Sequence, residues 1–173
     1  MPDSTSKSVS EKDCVELKKQ LGAFVQAYLP LGRAMGVDIS YYDGQKLSLS
    51  APLELNNNDK GTAFGGSLYC AAVMSCWSSV YLNSLHHLKG QYPGTPNIVV
   101  SKAGIEYLAP VKSNNIIATC ETENASDWDA FFERFKSRGS AKISLSSTVN
   151  TEEDGSGKLA VEFSGTYALI GHY

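Results

Sequence analysis

Residues 56–67 read Asn-Asn-Asn-Asp-Lys-Gly-Thr-Ala-Phe-Gly-Gly-Ser and run straight into a long apolar segment. A glycine pair where a buried helix begins lowers helix stability and has no side chain to pack. What it provides is access. The first N–H groups of a helix lack partners inside the helix and sit at its positive end. Glycines let a polarised or negatively charged group come close to them. Gly65 and Gly66 are therefore the first candidates for chemistry. Asn58 and Asp59 stand just before them, together with Lys60, Gly61, Phe64 and Ser67. Ser75, Ser78 and Ser79 follow on the apolar segment, and Glu106, Arg134, Lys136 and Arg138 lie further along the chain.

Other reactive residue types point to structure. Cys14, Cys70, Cys76 and Cys120 form no C-x-x-C pair, so no zinc site is expected. They read as reduced, mostly buried small hydrophobes. His86 and His87 fall at a helix end, where a cation suits the dipole. His172 is one residue from the terminus and is expected to be inert.

The elements that must position these residues follow from periodicity. Residues 1–10 are Ser/Lys/Asp-rich and are expected to form a disordered tail, leaving 11–173 as one domain. Residues 11–29 place Val15, Leu17, Leu21, Phe24, Val25 and Tyr28 with mostly helical spacing. Ser10 or Asp13 is the N-cap there, and Pro30 and Gly32 end the helix. Residues 37–52 alternate on either side of Asp43-Gly44, a hairpin signal, with Pro52 ending the second strand or lying on its edge. Residues 65–88 are apolar almost all the way round, which predicts a helix buried on most sides. After the break at Pro93-Gly94-Thr95-Pro96, strands are predicted over 98–108 and 114–123. A short helical or bulged connection then begins at Ser126 or Asp127, followed by two final strands joined by an acidic Gly/Ser turn. This order gives an α+β fold, an antiparallel sheet curled around one central helix. Such a sheet leaves an edge strand exposed, and pairing two copies is a common way to protect it.

The chain has 173 residues and a formal net charge of -3, with no basic stripe, which argues against nucleic acid. No run of about 20 apolar residues is free of polar interruption, so no membrane span is expected. The N-terminus lacks an apolar signal core, which makes the cytoplasm the default location.

The run N-D-K-G-T-A-F-G-G-S-L-Y at 58–69, followed by I-E-Y-L-A-P-V at 105–111, resembles the hot-dog fold thioesterase superfamily. It is most similar to the thioesterase-like domain of the YiiD C-terminal type, over roughly residues 15–172. The resemblance implies that the central helix is the sausage and the sheet the bun. Two subunits pair as a homodimer or a dimer of dimers. Acyl-CoA or acyl-carrier-protein thioesters lie in the groove between subunits, with coenzyme A entering only as part of the substrate and no metal or other cofactor.

On that resemblance Asn58 matches the family's asparagine, and Gly65 and Gly66 its glycine pair. Phe64 stands where related enzymes carry His. No Asp or Glu occurs between residues 60 and 105, so the carboxylate those enzymes carry on the helix is missing. Thioester hydrolysis needs an activated water and a place for charge on the carbonyl oxygen, which backbone N–H groups can supply. Beside Gly65 and Gly66 as N–H donors, the expected catalytic set is Asn58 and Asp59 first and Ser75 or Ser78 after them, with Glu106 another candidate for the base. Lys60, Gly61, Phe64, Ser67, Arg134 and Arg138 form the substrate-binding set, the basic side chains meeting the phosphates of coenzyme A. A non-catalytic acyl-thioester binding protein is the alternative. A hot-dog dehydratase ranks third, because that chemistry wants a His paired with a carboxylate.

Overall fold

The computed structural model describes residues 9–89, 91, 95–122 and 124–171. The expected tail over residues 1–8, Pro93 and Gly94 of the break, and His172 lie outside the described residues.

Helix α1 (Glu11–Tyr28) is capped by Ser10, whose hydroxyl accepts the Asp13 N–H at 3.2 Å and donates to the Asp13 carboxylate at 2.6 Å. That bond holds the Asp13 carboxyl below its ordinary value. Ser10 therefore belongs to the folded unit rather than to the tail. So does Val9, which packs partly against the core. Pro30 does more than stop α1. It opens a short second helix, α2 (Pro30–Ala34), at a position where the missing N–H costs nothing. Gly32 sits inside α2 and is not a terminator.

Strands β1 (Asp38–Tyr42) and β2 (Lys46–Pro52) form the expected hairpin. The Asp43 carboxylate accepts the N–H groups of Gln45 and Lys46, and Gly44 takes φ +100. Pro52 is the last residue of β2, where the strand can lose a donor. A single 3-10 turn (Leu53–Leu55) leads to the polar loop.

Helix α3 (Gly65–His87) has 23 residues, with His86 and His87 in its last turn. It packs against β2 and against strands β3 (Asn97–Tyr107), β4 (Asn115–Glu121), β5 (Ser140–Asn150) and β6 (Leu159–Ile170). The sheet is antiparallel throughout, in the order β1-β2-β4-β5-β6-β3. Alternate residues of β5, Ala141, Ile143, Leu145, Ser147 and Val149, are buried, so one face of the sheet meets α3 and the other meets solvent. On the far side of α3, α1 packs through Leu21 and Val25, and Phe24 stacks on Trp77 at 5.7 Å between ring centroids.

The connection after β4 differs from its expectation. It is a full helix, α4 (Ala125–Arg138), with Asn124 at the N-cap instead of Ser126 or Asp127. Trp128, Phe131, Phe132 and Phe135 recur at i, i+3, i+4 and i+7 and are all buried, which is what drives the segment to helix. Asp127 instead occupies the first turn, where its charge suits the dipole. Gly139 closes α4 at φ +69, its N–H bonded to the Phe135 carbonyl at 2.8 Å.

Candidate functional site

The loop before α3 is a small closed hairpin. The Phe64 N–H donates to the Asn56 carbonyl at 2.7 Å, Asn57 bridges Ala63, and the Asn58 N–H donates to the Thr62 carbonyl at 2.8 Å. The Gly61 N–H returns to the Asn58 carbonyl at 3.1 Å, with Gly61 at φ +70. This is a turn followed by a left-handed residue, which glycine adopts without strain.

The Asn58 side chain holds the hairpin from inside. Its Oδ1 accepts the N–H groups of Lys60 at 2.9 Å and Thr62 at 3.2 Å, and its Nδ2 donates to the Thr62 hydroxyl at 2.9 Å. Both lone pairs of Oδ1 are thereby engaged, and one amide proton is left. Asn56 is buried and anchors the loop to the core, donating to the carbonyls of Met35 and Pro52 at 2.8 Å each.

Phe64 is the N-cap of α3 but supplies no side-chain cap. The first internal bond of the helix runs from the Leu68 N–H to the Phe64 carbonyl at 3.0 Å. The N–H groups of Gly65, Gly66 and Ser67 are left without an acceptor among the described residues, as helix geometry requires unless a cap intervenes. The Phe64 ring, 56% exposed, folds back over Gly66. On the other side, the Tyr107 hydroxyl of β3 donates to the Gly65 carbonyl at 2.9 Å. The Ala63 N–H donates to the Val111 carbonyl at 2.9 Å. The two sequence runs at 58–69 and 105–111 thus meet and brace each other.

Half-exposed apolar side chains of β3 and α3 form a strip, the trough, that leads away from this helix end along the inner side of the sheet edge. Val100, Ala103, Ile105 and Tyr107 pair with Tyr167, Gly165, Phe163 and Val161 of β6, all buried, so they point to the same inner side. Yet Val100 is 44% exposed and Tyr107 52%, because β3 is the edge strand and α3 covers its inner side only in part. The opposite wall is Tyr69 and Val73 of α3, both half-buried. Tyr69 meets Phe163 edge-on at 5.9 Å, and the Tyr167 hydroxyl donates to the Val73 carbonyl at 2.9 Å. The far end is closed where the Trp77 indole N–H bonds the Ile98 carbonyl at 3.2 Å.

The candidate residues divide accordingly. Asn58, Asp59, Lys60, Gly61, Phe64, Gly65, Gly66 and Ser67 all lie in the hairpin and the first turn of α3, with Asp59, Lys60 and Gly61 exposed. Ser75 and Ser78 are fully buried. The Ser75 hydroxyl is spent on the Ala72 carbonyl at 2.9 Å and the Ser147 hydroxyl at 2.8 Å, facing β5 and away from the trough. Glu106 points to the outer face of the sheet, opposite Glu162. Arg134 and Arg138 are exposed on α4, whose Phe132 stacks on His87 at 4.5 Å. Within one chain that places them at the other end of α3, about 30 Å of helix rise from Gly66. Tyr107 and Thr62 are the site residues that sequence reasoning passed over. Tyr107 sat inside a noted motif, but nothing local says that its hydroxyl reaches residue 65.

Burial raises the Cys70 thiol above its ordinary value, and it raises the Cys76 thiol further, with Cys120 beside it. All four cysteines are free. Among the described residues no cluster of three or more His, Cys, Asp or Glu side chains is placed to hold a metal ion. No helix of the described residues is long and apolar enough to cross a membrane.

Comparison with known proteins adds two findings. The family described as "Putative thioesterase (yiiD_Cterm)" matches residues 18–171. Among solved structures, a protein of unknown function from Chlorobaculum tepidum is 38% identical, with a TM-score of 0.81 over 92% of this chain and 97% of that one. The "putative thioesterase" of Shewanella oneidensis is 26% identical, with a TM-score of 0.73 over 90% of this chain and 99% of that one. A Haemophilus influenzae thioesterase at 17% identity and a TM-score of 0.65, covering 89% of this chain and 90% of that one, agrees in fold.

Proposed function

Since the chain belongs to this hot-dog thioesterase family, we propose that it hydrolyses acyl thioesters of coenzyme A or an acyl-carrier protein at the N-terminus of α3. The observation that carries this reading is the uncapped first turn, with three N–H groups lacking acceptors, at the mouth of an apolar trough. The thioester carbonyl oxygen sits at the N–H groups of Gly65 and Gly66, and the acyl chain lies along the trough towards Trp77. Water adds to the carbonyl carbon, and the two N–H groups stabilise the oxyanion. The C–S bond then breaks, the acid leaves, and the thiol departs with the proton taken from water. Asp59 is the carboxylate nearest in sequence to this turn and serves as the base in this reading. Asn58 acts through the hairpin it holds, with one amide proton left for water or substrate. A second copy pairs along β3, whose outer edge has no partner strand among the described residues, and covers the trough as a homodimer. Arg134 and Arg138, remote from Gly66 within one chain, meet substrate phosphates only from the partner subunit's side.

A second reading, a non-catalytic acyl-thioester binding protein, draws on Phe64 at the position of the family's His and on the absence of any carboxylate from α3. One experiment separates the two. Thiol release is followed over acyl-CoAs from short to long and aromatic, and over acyl-carrier protein, for wild type and Asp59→Asn. Turnover lost in the variant supports hydrolysis with Asp59 as base. Turnover unchanged keeps the reaction and removes Asp59 from it. Thioester binding without turnover in the folded wild type establishes the binding protein.

A further inference from the structure

Building on the hydrolase reading, we propose that Tyr107 is a positioning residue for the oxyanion, acting through the peptide group between Gly65 and Gly66. The Tyr107 hydroxyl donates to the Gly65 carbonyl at 2.9 Å. That carbonyl and the Gly66 N–H are the two ends of one planar, conjugated peptide unit. A hydrogen bond on the oxygen draws electron density from the nitrogen, so the N–H becomes a better donor. The same bond fixes the plane of the peptide. That matters here, because two consecutive glycines at a helix end hold their orientation poorly by themselves.

The tether is rigid. Tyr107 is the last residue of β3, paired with Val161 of β6, and the next residue, Leu108, donates its N–H to the Ala160 carbonyl at 2.8 Å. The sheet, and not the loop before α3, thus sets the aim of the Gly66 N–H. The phenol has one proton, and it is committed to Gly65, so Tyr107 does not itself donate to the substrate oxygen. This separates it from a catalytic residue and makes the prediction specific.

Tyr107→Phe removes the hydroxyl and keeps the ring. The expected result has three parts. The Gly66 amide proton resonance moves upfield, read without substrate. The turnover number kcat falls by about two- to tenfold, the range of one hydrogen bond. KM for the best acyl-CoA changes less than twofold, and the melting temperature holds. A Gly66 resonance that stays put overturns the proposal. So does a rise in KM with kcat unchanged, which would make Tyr107 a substrate contact. If wild type turns over no acyl thioester, the hydrolase reading fails by itself. The amide resonance then still decides whether Tyr107 sets this donor.

Discussion

Gly65 and Gly66 are identical letters with different surroundings. A β-carbon on Gly65 would stand 3.6 Å from the Tyr107 ring, an ordinary contact. On Gly66 it would come within 2.5 Å of the Phe64 ring. Phe64 is exposed and can swing away, so Gly66→Ala should fold, but with its ring displaced and the N–H shielded. Acyl-thioester kcat/KM is expected to fall much further in Gly66→Ala than in Gly65→Ala, with both variants retaining their circular dichroism. Asn58 offers a different test. Replacing it by Ala removes three hydrogen bonds from the hairpin and should cost about 1–3 kcal/mol in denaturant unfolding. Asp59→Ala, at an exposed position, should leave stability within about 0.5 kcal/mol. A kinetic defect in Asn58→Ala therefore reports the loop, whereas one in Asp59→Ala reports chemistry.

At the scale of elements, the trough between α3 and β3 has a length. Gly66 and Trp77 are eleven residues apart on one helix, about 16 Å. An extended chain advances about 1.2 Å per bond, so acyl groups of about thirteen to fourteen carbons would fill it. On the hydrolase reading, activity should rise with chain length to that range and then level off. Ala103→Phe places a ring on the small, exposed wall position opposite Gly165 and should shift the preference to chains several carbons shorter, measured on the same acyl-CoA series. Element boundaries were legible where periodicity and punctuation agree. The apolar α3, the Asp43-Gly44 hairpin and the Ser10 cap each rest on a local rule. The α4 helix could be read too, since Trp128, Phe131, Phe132 and Phe135 repeat at helical spacing, although the expectation was only a short helical or bulged connection. Its N-cap has no side-chain bond to announce it.

For the whole molecule, burial governs behaviour at alkaline pH. Desolvation raises the Cys76 thiol well above its ordinary value of 9.0. It likewise raises the phenols of Tyr42 and Tyr167 above 10.0. The Tyr42 hydroxyl is also buried without a hydrogen-bond partner among the described residues. Folded, these groups keep their protons, and unfolded, they lose them near their ordinary values. Their contribution is therefore complete below about pH 9 and declines as pH rises beyond it. The melting temperature should be flat from pH 7 to about 8.5 and fall steadily above 9. Under the same conditions Cys76 and Cys120, both buried, should resist a thiol reagent until the protein unfolds, while Cys14 and Cys70 react slowly.

Local rules are enough for the α+β order of elements, the buried central helix and the glycine pair at its start, because helix and strand periods, caps and turns act within a few residues of chain. The family was legible for a related reason, since its two marker runs are contiguous stretches. The roles inside the site were not local. Whether Ser75 faces the trough or β5 depends on how α3 is rotated against the sheet. Asn58 belonged to the expected catalytic set, and only the closed hairpin shows its side chain engaged with Lys60 and Thr62. Tyr107 reaches Gly65 across 42 residues only because β3 pairs with β6 at the edge of the sheet and runs beside α3. Side-chain partners at that separation are chosen by packing, and packing is a property of the assembled sheet and helix, which no short window of sequence contains.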